Sequence, residues 1–101
     1  AITYTFEVKE GLGDDWRVFA HFEGPGKGRF SDDHAPNRPF SWWKKGQYIR
    51  YTRHLRVPAS TKPGSYDLWM GIYRRNTRLE ARSESVPVED DRVKAATIQV
   101  K

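Results

Sequence analysis

The sequence predicts an all-β protein, a single immunoglobulin-like β-sandwich of about seven short antiparallel strands over residues 1–101. Three observations carry this expectation. Apolar and polar residues alternate through most of the chain, and no segment makes a convincing helix. Gly, Pro, Asn and Asp recur between the alternating runs at the spacing of short strands. Aromatics make up 14% of the residues while cysteine is absent, so the core must be built from rings rather than held by disulfides. A small barrel of the OB type is the main rival architecture.

The elements follow in order. Ile2, Tyr4, Phe6 and Val8 alternate with Thr3, Thr5 and Glu7, the period of a half-buried strand. Residues 11–15 read as a turn. Trp16, Val18, Ala20 and Phe22 then share one face, with Arg17, Phe19 and His21 on the other. Gly24, Pro25, Gly26 and Gly28 mark a loop over residues 23–28, and Phe30 begins a short edge strand. Residues 31–45, with Pro36, Pro39 and a tryptophan pair, form an irregular excursion closed by Gly46. Such excursions carry function or pack as Ω-loops.

The longest strand is expected over residues 48–57, with Ile49, Tyr51, Leu55 and Val57 on one face. Arg53 interrupts that face, which requires either a bulge or a carboxylate partner. Pro58 ends the strand, and a turn follows to Gly64. In residues 65–73, Tyr66, Leu68, Met70 and Ile72 should face inward, and Asp67, Trp69, Gly71 and Tyr73 outward. Gly71 is expected where a neighbouring ring or backbone presses close. Arg75-Asn76-Thr77 reads as a hairpin turn returning through residues 78–81. A turn at Glu89-Asp90-Asp91 leads to a last strand over residues 93–100.

The formal charge is +5, and its distribution is uneven. Between Arg38 and Arg82, eleven Lys/Arg meet only two acids, Asp67 and Glu80, whereas the rest of the chain is net acidic. That asymmetry suits an anionic partner, although outward strand faces also use Arg and Lys simply for solvation. No stretch has the apolar length of a membrane-spanning helix. Residues 1–9 alternate and lack a signal-peptide core. The chain is expected to be a processed product or an excised domain. Without cysteine, disulfide scaffolds and thiolate metal sites are excluded.

Four constellations are candidates for chemistry. Asp32-Asp33-His34, with His21 and His54, has the residue types of a metal site. Its spacing matches no standard ligand pattern, and local backbone capping explains the two aspartates; no metal and no cofactor is expected. Asp and His are available for acid–base catalysis, but no nucleophile elbow, phosphate loop or paired constellation accompanies them, so no enzyme is expected. The third candidate is the aromatic set Phe40, Trp42, Trp43, Trp69 and Tyr73, since exposed rings stack on sugars and on bases. Adjacent Trp42 and Trp43 cannot both point inward from an extended segment, so one is core and the other exposed. Trp69 lies outward near Tyr73, or else under the 31–45 loop.

The fourth is a basic stripe, Arg50, His54 and Arg56 on one strand, with Arg74, Arg75 and Arg78 beyond. It would serve a single-stranded nucleic acid, but no RNP-like or cold-shock run supports that use. The ligand-binding set is therefore Trp42, Trp43, Trp69, Tyr73, Arg50, His54 and Arg56. A glycan or another protein is the expected partner, and nucleic acid on the basic 38–82 stretch is the alternative.

The ordered runs D15-WRVFAHF-22, R29-FSDDHAP-36, W43-KKGQYI-49, V57-PA-59 and P63-GSYDLWMGIY-73 carry a resemblance. Over Asp15–Tyr73, with a looser echo in residues 91–100, the chain resembles a β-sandwich accessory module of bacterial extracytoplasmic proteins. That module is found at the C-terminal end of membrane proteins similar to dolichyl-phosphate-mannose mannosyltransferases. The resemblance implies a non-catalytic domain facing the periplasm or the cell exterior, with glycan as its contact, and no catalytic residue to carry over.

Overall fold

A computed structural model describes residues 1–26 and 28–101. Strands account for 47% of the chain. They are β1 (Ile2–Glu7), β2 (Arg17–Glu23), β3 (Arg29–Ser31), β4 (Tyr48–Arg53), β5 (Gly64–Arg74), β6 (Thr77–Arg78), β7 (Val88–Glu89) and β8 (Arg92–Val100). One 3-10 turn, Phe40–Trp42, stands among them. The all-β class is as expected, with eight strands among the described residues; the short β7 was not foreseen. The expected loop over residues 23–28 turns through Gly24, Pro25 and Gly28, where Gly24 N–H donates to Gly28 C=O at 2.9 Å. Its Lys27 lies outside the described residues.

Every pairing is antiparallel. β1 and β4 make a two-stranded sheet, and the larger sheet runs β3-β2-β5-β8-β7, with β6 folded back on β5. The larger sheet curls into a half-barrel. One core cluster draws Tyr4, Val8, Ile49 and Tyr51 from the small sheet and its flank, Val18 from β2, and Phe40 and Trp43 from the 31–45 excursion. Met70 and Ile72 of β5 pack on it. A second cluster, Ala20, Phe22, Phe30, Tyr66 and Leu68, fills the larger sheet's inner face. Burying these rings supplies the main driving force, at about 25 cal/mol per Å² of apolar surface.

The strand expected over residues 48–57 stops at Arg53. The register explains why: Arg53 pairs with Ile2, where β1 begins, so the residues beyond have no partner strand. Val57 is exposed as a result, whereas Leu55 turns to pack on the second cluster. His54 and Arg56 therefore do not share a strand with Arg50, and the expected stripe does not form. Arg53 found the carboxylate rather than the bulge, donating to both oxygens of Asp32 at 2.7 and 2.8 Å.

The bulge lies elsewhere. The β5–β8 register slips between Leu68↔Ala96 and Trp69↔Lys94, which leaves Ala95 unpaired. That extra residue turns the phase of β8, so Ile98 and Val93 both face the inner side although five positions separate them.

The outer face of the larger sheet is covered around Gly71. Phe19, expected outward with Arg17 and His21, is buried. Its ring lies across Gly71, below the Asp90-Asp91 turn, and the Arg78 guanidinium stands 4.5 Å from the ring centroid. A methyl group at Gly71 would lie 2.5 Å from two Phe19 ring carbons and 2.8 Å from the Asp91 carbonyl oxygen. Both the ring and the backbone expected near Gly71 are present. Gly71→Ala should therefore lower stability by about 1–3 kcal/mol, the usual cost of overpacking. A urea midpoint would show it, and Phe19→Leu in the same chain should restore part of the loss. An unchanged midpoint would mean that this contact does not form.

Candidate functional site

Residues 31–45 become ordered through three neighbouring side chains. The Asp32–His34 backbone continues alongside β2: Val18 and His34 exchange N–H···O=C bonds at 2.9 Å, and Asp32 N–H donates to Ala20 C=O. Asp33 accepts a bond from Ala20 N–H at 3.1 Å. Asp32 reaches the other way, to Arg53 of β4. The buried His34 ring does the same: its Nδ1 donates to the Asp32 carbonyl at 2.8 Å, and its Nε2 accepts from the Tyr51 hydroxyl at 2.7 Å. A carbonyl can only accept, so Nδ1 carries a proton; in the neutral imidazole Nε2 is then the acceptor for the Tyr51 hydroxyl. Burial pushes the His34 pKa below its ordinary value and pushes the Tyr51 hydroxyl well up, which keeps both groups in the required states.

These bonds account for most of the Asp-His constellation. Asp32, Asp33 and His34 tie the loop to two strands, and His54 lies apart in the exposed segment after β4. His21 faces Asp33 at 3.9 Å on the outer side of β2. No group of three or more metal-ligating side chains converges among the described residues.

The tryptophan pair divides as expected, although a 3-10 turn rather than an extended segment separates the two rings. Trp43 is only 6% exposed. It packs on Phe40 at 4.2 Å and on Phe6 at 5.3 Å, and its indole N–H donates to Arg38 C=O at 2.9 Å. That burial removes Trp43 from the ligand-binding set and makes it the anchor beneath the loop. Trp42 is 63% exposed.

Trp42 stands on one wall of a groove of about 550 Å³, with Asn37 and Arg38. The other wall is formed by the consecutive residues Gln47 to Tyr51. Because five successive residues line it and none comes from β1, the groove follows the edge of β4 away from β1. Tyr48 at its mouth is 70% exposed. Gly46, at φ +89°, sets the start of this edge: Gly46 N–H donates to Val8 C=O while Val8 N–H donates to Gln47 C=O, the pairing of a glycine bulge. Bonding alternates along an antiparallel ladder. Gln47, Ile49 and Tyr51 therefore direct their backbone groups to β1, and Tyr48, Arg50 and Thr52 direct theirs into the groove side.

Of the remaining expected residues, Tyr73 and Trp69 lie on the outer side of the larger sheet. Tyr73 lines a smaller cleft of about 300 Å³ with Phe19, His21, Asp33, Arg75, Asn76 and Arg78, on the outer side of the larger sheet. Trp69 is half-buried beneath the Arg92 guanidinium, which lies 4.7 Å from its ring and binds Glu23 at 2.7 Å. It is covered by Arg92 and not by the 31–45 loop. The structure thus brings Trp42 and Arg50 together in one groove, which Trp69, Tyr73, His54 and Arg56 do not line. Tyr48 was missed as a site residue, because at the head of a strand it reads as one more alternating aromatic. The signal was its place two residues after Gly46 and six residues beyond the exposed tryptophan.

His34 makes this geometry sensitive to pH. The unfolded imidazole takes a proton near the ordinary 6.5 and the folded one only at lower pH. Between those values the unfolded chain binds more protons, so the contribution is full above about 6.5 and is lost as pH falls. Urea midpoints at pH 7.5 and 5.0 should show the decline. His34→Phe should cost about 1–3 kcal/mol at pH 7.5, because it leaves buried partners unpaired, and should flatten the slope. His21, also lowered by burial, would keep a residual slope. An unaltered slope in the variant would remove His34 from this role. No family model, no curated protein and no solved structure matches the chain.

Proposed function

We propose that the chain is a non-catalytic binding module that engages glycan along the β4 groove. The observation that carries this reading is the pair of exposed rings, Trp42 and Tyr48, beside Asn37, Arg38, Gln47 and Arg50. A pyranose ring has an apolar C–H face and a rim of hydroxyls. Exposed aromatics offer a surface for the first. Amide, guanidinium and free backbone groups offer hydrogen bonds to the second. Concave sites generally combine rings with a few convergent polar groups in this way.

The finer architecture belongs to the same proposal. Two antiparallel sheets that share one core cluster support an immunoglobulin-like sandwich. The motif resemblance over Asp15–Tyr73 supports an accessory module of a bacterial extracytoplasmic protein, periplasmic or extracellular. A second reading, protein interaction, is favoured by one observation: the backbone groups of Tyr48, Arg50 and Thr52 are open to an added strand. Single-stranded nucleic acid is less well supported, because the basic residues of the 38–82 stretch are divided between two sites, Arg38 and Arg50 at the groove and Arg75 and Arg78 at the smaller cleft.

Tryptophan fluorescence, titrated with neutral and acidic oligosaccharides and with a single-stranded oligonucleotide, tests the reading. A saturable response to a sugar is expected, weakened at least tenfold by Trp42→Ala or Tyr48→Ala and unaffected by Trp69→Ala. Silence toward all sugars, or a response indifferent to Trp42, would sink it and favour the strand-addition reading.

A further inference from the structure

We propose that the β4 groove selects anionic glycans, with Arg38 and Arg50 reading the carboxylate or sulfate groups. This rests on the glycan reading above and adds the class of sugar. The argument begins with what the arginines elsewhere are doing. Arg74, Arg78 and Arg92 lie over Trp16, Phe19 and Trp69 at 4.7, 4.5 and 4.7 Å. Arg92 also holds Glu23, Arg53 holds Asp32, and Arg82 holds Glu80. Arg38 and Arg50 are exposed and, like Arg17, Arg29, Arg56 and Arg75, have neither an aromatic nor a carboxylate partner among the described residues; of these six, Arg38 and Arg50 line the groove.

The surroundings do not neutralise them. No acid lines the groove. From His34 to Tyr66 the sequence contains no Asp or Glu but seven Lys/Arg, of which Arg53 makes the one ion pair among the described residues. Glu7, directly across the β1–β4 ladder from Tyr48 and in reach of its hydroxyl, is neutralised by Lys9 at 2.6 Å. The groove lining therefore carries two guanidinium groups and no carboxylate, and the neighbouring Glu7 is balanced by Lys9, the condition under which an anionic ligand is attracted.

Geometry favours a sugar that carries the charge on its rim. Guanidinium forks bind carboxylate and sulfate oxygens in bidentate fashion, and stacking leaves a ring's substituents in reach of flanking side chains. Arg38 is set in place from below, because its carbonyl accepts the buried Trp43 indole N–H. Arg50 is set by the β4 ladder opposite Thr5. The two cations thus line the groove from two segments, Arg38 from the loop beside Trp42 and Arg50 from the strand beside Tyr48.

The test is a titration of the intact chain with four probes: polygalacturonate oligomers, their methyl-esterified form, heparin oligosaccharides and a single-stranded oligonucleotide. Arg38→Gln and Arg50→Gln are compared with Trp42→Ala, and thermal unfolding confirms that each variant folds. The expected result is at least tenfold tighter binding of an acidic glycan than of the esterified one, and a loss of that preference in either arginine variant. Added salt should weaken the acidic arm and spare the esterified one. A response to polygalacturonate alone assigns the charge reader to carboxylate, and a response to heparin alone assigns it to sulfate; both support the inference. Equal binding of esterified and acidic forms, unaffected by the arginine variants, overturns it while the glycan reading stands. Binding of the oligonucleotide as tight as that of either glycan, and indifferent to Trp42→Ala, overturns both in favour of a general polyanion surface. No binding in any arm overturns the glycan reading itself.

Discussion

Two sheets that share a core cluster but no ladder must be aligned by something other than backbone pairing, and here the segment from Asp32 to His34 does this. Its backbone is stitched to β2, while the Asp32 and His34 side chains bind Arg53 and Tyr51 of β4. Apolar packing between the sheets is strong but non-directional. Hydrogen bonds buried among the rings fix one alignment out of the many that hydrophobic burial would accept. The same three residues launch the chain toward Pro36 and the 3-10 turn, so the alignment of the sheets and the placement of the groove wall have a common origin.

The groove illustrates how an exposed ring is positioned by a buried one. Trp43 sits in the core, holds the carbonyl of Arg38 and packs against Phe40 and Phe6. Trp42, one residue earlier, is thereby turned to solvent in a conformation it could not hold by its own contacts. A binding surface on a loop normally pays in mobility for its accessibility. Here the loop is short of freedom because its inner residues are core residues.

Much of this was legible in the residues. The Ile2-Tyr4-Phe6-Val8 alternation, the inward set Tyr66 and Leu68, the crowding at Gly71 and the demand of Arg53 for a carboxylate all express local rules that the tertiary structure respects. The failures have a shared cause, which is that pairing is non-local. Leu55 and Val57 continue the apolar pattern of β4, yet β1 begins at Ile2 and offers them no neighbour. Ala95 is bulged because of the register of β5 and not because of its own identity. Phe19 is buried by a hairpin that returns from far along the chain. The site was half legible: Arg50 and one ring of the Trp42-Trp43 pair were readable as exposed, but only the fold shows which ring it is and that Trp69 and Tyr73 do not line the groove.

The free edge of β4 has a consequence for colloidal behaviour. An uncovered strand edge is a template on which a second copy can dock and propagate an aggregate. Two β4 edges meeting antiparallel would bring the Arg50 side chains of both copies together, with each Arg38 close by, in a space without acids. Like charges so placed penalise self-pairing. In such a pairing the arginines would act as gatekeepers that keep neighbouring molecules apart. An anion that neutralised them would lift the guard at the same moment that it filled the gap, so occupancy would replace repulsion as the protection of the edge.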